Sequence, residues 1–169
     1  RIQADVIPDA FIPVIENGIR DAMEAGVLAG YRMVDIKTTL TGGSYDEADS
    51  VDMAYRIAAT MAVKDGARKA EPTLLEPIMK LEVVVPDEYM GDIISDINGR
   101  RGKIDGIDMQ GQLRVIDARV PLSEVFGYAT GVRSLSQGRA SHTLQFSHYD
   151  QVPKTITDTI VARLMGWLY

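Results

Sequence analysis

Cysteine is absent from the 169 residues. That excludes disulfides, thiolate zinc sites and a cysteine nucleophile, and it fits a reducing compartment. Only two histidines occur, His142 and His148, and neither belongs to an HExxH or zinc-ligand spacing. The strings G-x-x-x-x-G-K-[ST] and G-x-S-x-G are both missing, so the chain encodes neither a P-loop nor a serine elbow. No apolar run approaches the roughly 20 residues that cross a bilayer, and no signal peptide opens the sequence. A cytoplasmic protein with no membrane partner is therefore expected, and Arg1 in place of a methionine leads us to expect a fragment. Net positive charge is also lacking: the formal charge is −6, which opposes general binding to nucleic acid.

Enough apolar sequence remains for a core. At 46% apolar residues, a chain of this length buries about 70% of its unfolded surface without staples. The acidic average hides local exceptions. From Ala118 to Tyr149 there are three arginines, Arg119, Arg133 and Arg139, against one acid, Glu124, and Arg100, Arg101 and Lys103 form a second cationic knot.

Residues 9–25 read as a helix, with Ile12, Ile15, Ile19 and Met23 at spacings of three and four and Gly26 as the stop. Val34–Leu40 alternates apolar and polar, the pattern of a half-buried strand. After Gly42-Gly43, the residues Ala54, Ile57, Ala58, Met61 and Ala62 mark a second helix over about Ser50–Lys69. One strand cannot cover two helices, so the rest of this unit's sheet is expected upstream or within Arg1–Ile7. The two prolines of Glu71–Pro77 suggest a linker.

The second half alternates more regularly. Ile78–Val85 reads as a strand. Pro86-Asp87-Glu88 opens a helix with acids in its first turn and the stripe Met90, Ile93, Ile94, Ile97, closed by Gly99. Lys103–Met109 and Leu113–Val120 are strands joined at Gln110-Gly111-Gln112. Leu122, Val125, Phe126, Ala129 and Val132 form another helical stripe, and Ala140–His148 a last strand. The order β-α-β-β-α-β is the ferredoxin-like split plan. A short amphipathic helix over Lys154–Met165 precedes Trp167-Leu168-Tyr169.

The densest acidic stretch is Asp46, Glu47, Asp49 and Asp52, behind Gly42-Gly43. It fails the EF-hand pattern. It reads better as a helix entry, with Asp49 as the N-cap and Asp52 at the third helical position. Gly99-Arg100-Arg101-Gly102 has the form of the GxxG loop of KH domains, but that loop joins two helices and here a strand follows. The strand Leu113–Val120 carries none of the aromatics with which RRM sheets stack bases. Gly127–Ser134 is glycine-rich and lies within or at the end of a helix. No catalytic or metal-binding set emerges.

Three strings go further. LLEPIMKLEVVVPDEYMGDIISDINGRRGKI (74–104) and VPLSEVFGYATGVRSLSQGRAS (120–141) resemble the C-terminal fifth domain of elongation factor G. The string IPDAFIPVIENGIRDAMEAGVLAGYRMVDIKTTLTGGSYDEADSVDMAYRIAATMAVKDG (7–66) resembles the later part of its fourth domain. The resemblance implies an α+β chain. Residues 1–71 would be a partial βαβ-type domain IV, 72–153 a ferredoxin-like domain V, and 154–169 a C-terminal helix. It implies that Gly43, Ser44, Tyr45 and Asp46 form the tip that reaches the decoding region of the small subunit, beside transfer RNA and messenger RNA. It also implies contacts of domain V with RNA of the large subunit; Arg100, Arg101, Arg133 and Arg139 are the candidates. GTP and magnesium would bind an N-terminal domain outside this sequence, so no catalytic residue, metal or cofactor is expected here. The expected state is a monomer. The family usually has histidine at position 46, in a GSYH string, and glycines before Ile7-Pro8, where this chain has Asp46 and Ala4-Asp5-Val6. The histidine assists translocation, so Asp46 raises the alternative of a recycling-specialised or accessory relative. A ferredoxin-like small-molecule-binding regulatory domain is the alternative from another class.

Overall fold

A computed structural model of the chain describes residues 7–46, 51–164 and 166. Two compact units emerge: residues 1–74 with 153–169, and residues 75–152. Residues 4–6, Glu47, Asp49 and 167–169, which the sequence singles out, lie outside the described residues.

In the first unit, a 3-10 turn at Asp9–Phe11 leads into α1, Ile12–Ala25. Pro13 suits the first turn because its fixed φ is already helical and its absent N–H is not needed there. Ile15, Gly18 and Ala22 are the buried stripe. They face α2, Asp52–Lys69. Gly18 allows the two backbones to meet, since a Cβ there would lie 2.5 Å from the carbonyl oxygen of Arg56. Thr60 Oγ1 donates to the Gly18 carbonyl at 3.0 Å, and Arg56 pairs with Asp21 at 2.6 Å. α5, Lys154–Leu164, also groups with this unit.

Three expectations fail in this unit. Val34–Leu40 forms no strand, and Asp35 within it takes a left-handed conformation (φ 57°) at a bend. A strand exists only through its ladder, and the described residues of the unit contain no second strand to pair with. The stripe expected to bury α2 faces outward, with Ile57 51% and Met61 65% exposed. The reason is that α2 meets α1 through the other side, around Ala59 and Thr60. Asp52 is the first helical residue, not the third, and Val51 is the N-cap with no side-chain bond.

The second unit is a four-stranded antiparallel sheet in the order β2-β3-β1-β4. Its strands are β1, Leu75–Pro86; β2, Lys103–Gln110; β3, Leu113–Pro121; and β4, Ser141–Gln151. Its helices are α3, Met90–Gly99, and α4, Tyr128–Leu135. The core follows the period-two rule: Leu81, Val83 and Val85 of β1 and Ile116, Ala118 and Val120 of β3 face Ile93, Ile97, Tyr128 and Val132. Lys80 pairs with Asp117, and Arg119 with Asp105, across neighbouring strands. This is the ferredoxin-like split β-α-β-β-α-β fold.

Boundaries differ in informative places. β1 begins at Leu75, so Leu75, Glu76 and Pro77 belong to a strand and not to a linker. β1 lies between β3 and β4, and β4 extends along it as far as Leu75↔Gln151. α3 ends at Gly99, as its glycine suggests, but the left-handed residue of the ending lies two positions on. Arg101 takes the left-handed conformation (φ 57°), and Gly102 N–H bonds back to the Ile97 carbonyl at 2.9 Å, a Schellman ending. The expected helix over Leu122–Val132 is broken: a 3-10 turn at Leu122–Glu124 is followed by Gly127 at φ 74°, and α4 starts only at Tyr128. Phe126, placed in the stripe by spacing, is therefore 78% exposed.

Candidate nucleic-acid interface

The tip residues lie against the beginnings of both helices of the first unit. The Tyr55 hydroxyl, in the first turns of α2, donates to the Ser44 carbonyl at 2.9 Å. The Tyr45 ring lies 6.1 Å from that of Phe11, just before α1, and Phe11 lies 4.5 Å from Tyr55. Gly43 packs against Ile7, whose Cδ1 would be 2.6 Å from an added Cβ. The segment is thus pinned by an aromatic trio and by the Tyr55–Ser44 hydrogen bond, while the side chains of Tyr45 and Asp46 remain exposed. Phe11 and Tyr55 carry no signal for this role in the sequence, because helical spacing alone assigns them to helices.

The four arginines have different surroundings. Arg101 is clamped: its Nη1 and Nη2 donate to the two carboxylate oxygens of Glu76 at 3.0 and 2.6 Å, and its Nε to Glu124 Oε1 at 3.1 Å. The Glu76 hydrogen bond, opposed by desolvation, keeps the guanidinium pKa above its ordinary value. Arg100 donates from Nε to Asp96 at 2.9 Å and from Nη1 to the Glu124 carbonyl at 2.7 Å, and it stands 5.1 Å over the Tyr128 ring. Both side chains are more than two-thirds buried. Arg139 is exposed, pairs with Glu88 and lies 5.6 Å over the Tyr89 ring. Tyr89, and then Glu88, raise its pKa. Arg133, in the last turn of α4, is exposed and has no ion pair among the described residues.

These side chains do not form one patch. Tyr89 precedes α3 and Arg100 follows it, so Arg139 and the Arg100–Arg101 pair mark opposite ends of a ten-residue helix about 15 Å long. Arg100 and Arg101 converge on Glu124 and tie the α3–β2 turn to the loop before α4. Most of their donors already have partners within the unit; Arg139 is exposed though paired with Glu88, and Arg133 is exposed with no ion pair among the described residues. Glu76, assigned to a linker by its prolines, proves to be the main partner of Arg101.

Other chemistry is sparse. No group of three or more His, Cys, Asp or Glu with metal-site geometry occurs among the described residues. The His142 and Tyr128 rings meet in a T-shaped contact with centroids 5.2 Å apart, and His148 Nδ1 shares a hydrogen bond with Ser147. A depression lined by Met61, Ala62, Lys64, Asp65 and Arg68 has walls from α2 alone, unlike small-molecule sites, which converge several polar groups in a concave pocket. No described helix is long and apolar enough to cross a membrane.

Comparison with known proteins gives these geometries a context. A family model for elongation factor G, domain IV, matches residues 1–71, and one for the elongation factor G C-terminus matches residues 73–160. This chain belongs to the elongation factor G family. A crystal structure of a Thermus thermophilus protein matches it with a TM-score of 0.84 and 43% identity, over 98% of this chain and 25% of the other. The chain therefore spans about a quarter of the length of that relative. As an elongation factor G-family chain it carries two domains of a translation factor. Its first unit contains residues of domain IV, and its ferredoxin-like unit lies within the C-terminal match.

Proposed function

We propose that the chain is the ribosome-contacting part of an elongation factor G-type GTPase that promotes translocation of transfer RNA and messenger RNA by shape and RNA contact. The observation that carries this reading is the consecutive match to domain IV and the C-terminus, within a fold shared with a relative at 43% identity. In this reading Gly43, Ser44, Tyr45 and Asp46 meet RNA near the decoding region, and their anchoring by Tyr55 and Phe11 gives the tip a fixed form. Arg133 and Arg139 contact phosphates of large-subunit RNA at the factor-binding centre. Arg100 and Arg101 act mainly by fixing the loop before α4, because their donors are engaged within the unit. GTP and magnesium bind a separate domain of the parent factor, which works in the cytoplasm as a monomer.

Asp46 favours one second reading. A carboxylate is repelled by RNA phosphate, whereas imidazole can donate a hydrogen bond or carry a positive charge. A factor specialised in ribosome recycling has less need of a tip group that assists translocation. Single-turnover translocation and subunit-splitting assays of the parent factor separate the two. Rapid translocation supports the first reading, and splitting without translocation supports the second. Activity in neither assay would overturn both.

A further inference from the structure

We propose that Phe126 is a stacking platform for an unpaired RNA base, with Arg133 holding a phosphate nearby; this deepens the ribosome-contact reading and rests on it. Phe126 is the most exposed large apolar side chain among the described residues, at 78%. It is also rigidly presented. On one side, the Glu124 carbonyl accepts from Arg100 and the Glu124 carboxylate from Arg101. On the other, Gly127 is left-handed, Tyr128 N–H bonds to the Val125 carbonyl at 3.0 Å, and the Tyr128 ring is buried. Val125 packs against the core. The chain thus turns an aromatic ring outward on a loop whose backbone is fixed on both sides, which reduces the entropy lost when a partner binds.

The chemistry beside the ring favours RNA. The outward residues of α4 that follow it, Ala129, Thr130, Arg133 and Ser134, are small, hydroxylic or cationic, and the helix contains no acid. Arg133 lies in its last turn, seven residues beyond Phe126. The helix spans about 12 Å, a distance of one or two nucleotides. A protein partner would ordinarily need about 800 Å² per side with an apolar centre, and beside this ring α4 exposes no apolar side chain larger than Ala129. Single-stranded RNA needs a π-face, a cation and room for its backbone. Leu113–Pro121 carries no stacking aromatic, and the exposed aromatics of the sheet, Phe146 and Tyr149 of β4, lean on each other with ring centroids 5.4 Å apart, whereas Phe126 stands alone at the head of α4.

The test uses the whole chain and purified large ribosomal subunits, with binding measured across a salt series. Phe126→Ala is expected to weaken binding by about five- to 150-fold, the range for loss of one stacked base, with the salt slope unchanged. Phe126→Trp should bind at least as well as wild type, and Phe126→Leu should bind as poorly as the alanine variant. Arg133→Ala should lower the salt slope by about one. If Phe126→Leu binds like wild type, the ring fills an apolar protein pocket and the proposal is overturned. If Phe126→Ala binds like wild type, the ring is unused, and the ribosome reading stands without it. Absence of wild-type binding at the lowest salt overturns both. The tryptophan and leucine variants keep the test decisive should the alanine variant fold poorly.

Discussion

Arg101 combines an unfavourable backbone with a favourable side chain, and the two can be separated. Its side chain is 26% exposed and that of Glu76 is 14% exposed, joined by a two-pronged contact with a third bond to Glu124. Deleting one partner of a fully buried pair costs about 3–5 kcal/mol, while an exposed pair contributes about 0–1 kcal/mol. This clamp lies between those limits, so Arg101→Ala should cost about 2 kcal/mol. Alanine keeps the left-handed strain. Arg101→Gly loses the same clamp but relieves about 1 kcal/mol of backbone cost, so its net loss is about 1 kcal/mol. Arg101→Lys keeps the charge without the planar fork and should fall between wild type and alanine. In a domain of 60–100 residues, 1 kcal/mol shifts Tm by about 4–8 °C. Because the chain has two units, one melt can blend two transitions. Amide exchange at Leu81, Val83 and Ile116, in the core of the second unit, reads that unit alone. Equal losses for glycine and alanine would refute the strain argument. A loss below about 0.5 kcal/mol for alanine would refute the clamp, since it falls in the range of exposed pairs.

Three further outcomes are expected. Gly18→Ala should separate α1 from α2, because its Cβ would meet the Arg56 carbonyl oxygen at 2.5 Å; overpacking of this kind costs about 1–3 kcal/mol, readable as faster exchange of first-unit amides with the second unit unaffected. Burial pushes the Tyr128 hydroxyl pKa up to about 12 from its ordinary value of 10.0. The folded state then favours the neutral phenol, so this contribution is fully present below pH 10 and is lost as pH rises towards 12; Tyr128→Phe should flatten the alkaline fall in stability, and an unchanged pH profile would contradict it. Asp46→His in the parent factor should increase the translocation rate, and no gain in a single-turnover assay would remove the idea that the carboxylate limits it.

What the sequence discloses depends on how local the deciding physics is. The ferredoxin-like unit is legible because its strands alternate with period two and its helices with stripes such as Ile93 and Ile97, all facing one core. The first unit is harder to read. Val34–Leu40 has the pattern of a strand, but pattern does not supply a hydrogen-bonding neighbour. The apolar stripe of α2 is equally plain in the sequence, yet its direction depends on which surface α1 occupies, and Gly18 sets that contact. Near α4 the failure is finer. Spacing carries Phe126 into a helix, and the left-handed Gly127 expels it. The candidate arginines are visible in the sequence as charge. Their partners are not, because Glu76 and Glu124 reach Arg101 across 25 and 23 residues of chain. Burial and pairing, which separate a clamping arginine from an available one, are tertiary facts.

The proposed contact with ribosomal RNA would run through exposed cations despite a net charge of −6. Sedimentation of the whole chain with ribosomes through a rising salt series tests it most directly. Log-linear weakening is expected, with Arg133→Ala and Arg139→Ala each lowering the slope by about one. Failure to sediment at the lowest salt, or binding insensitive to salt and to both arginines, would contradict it.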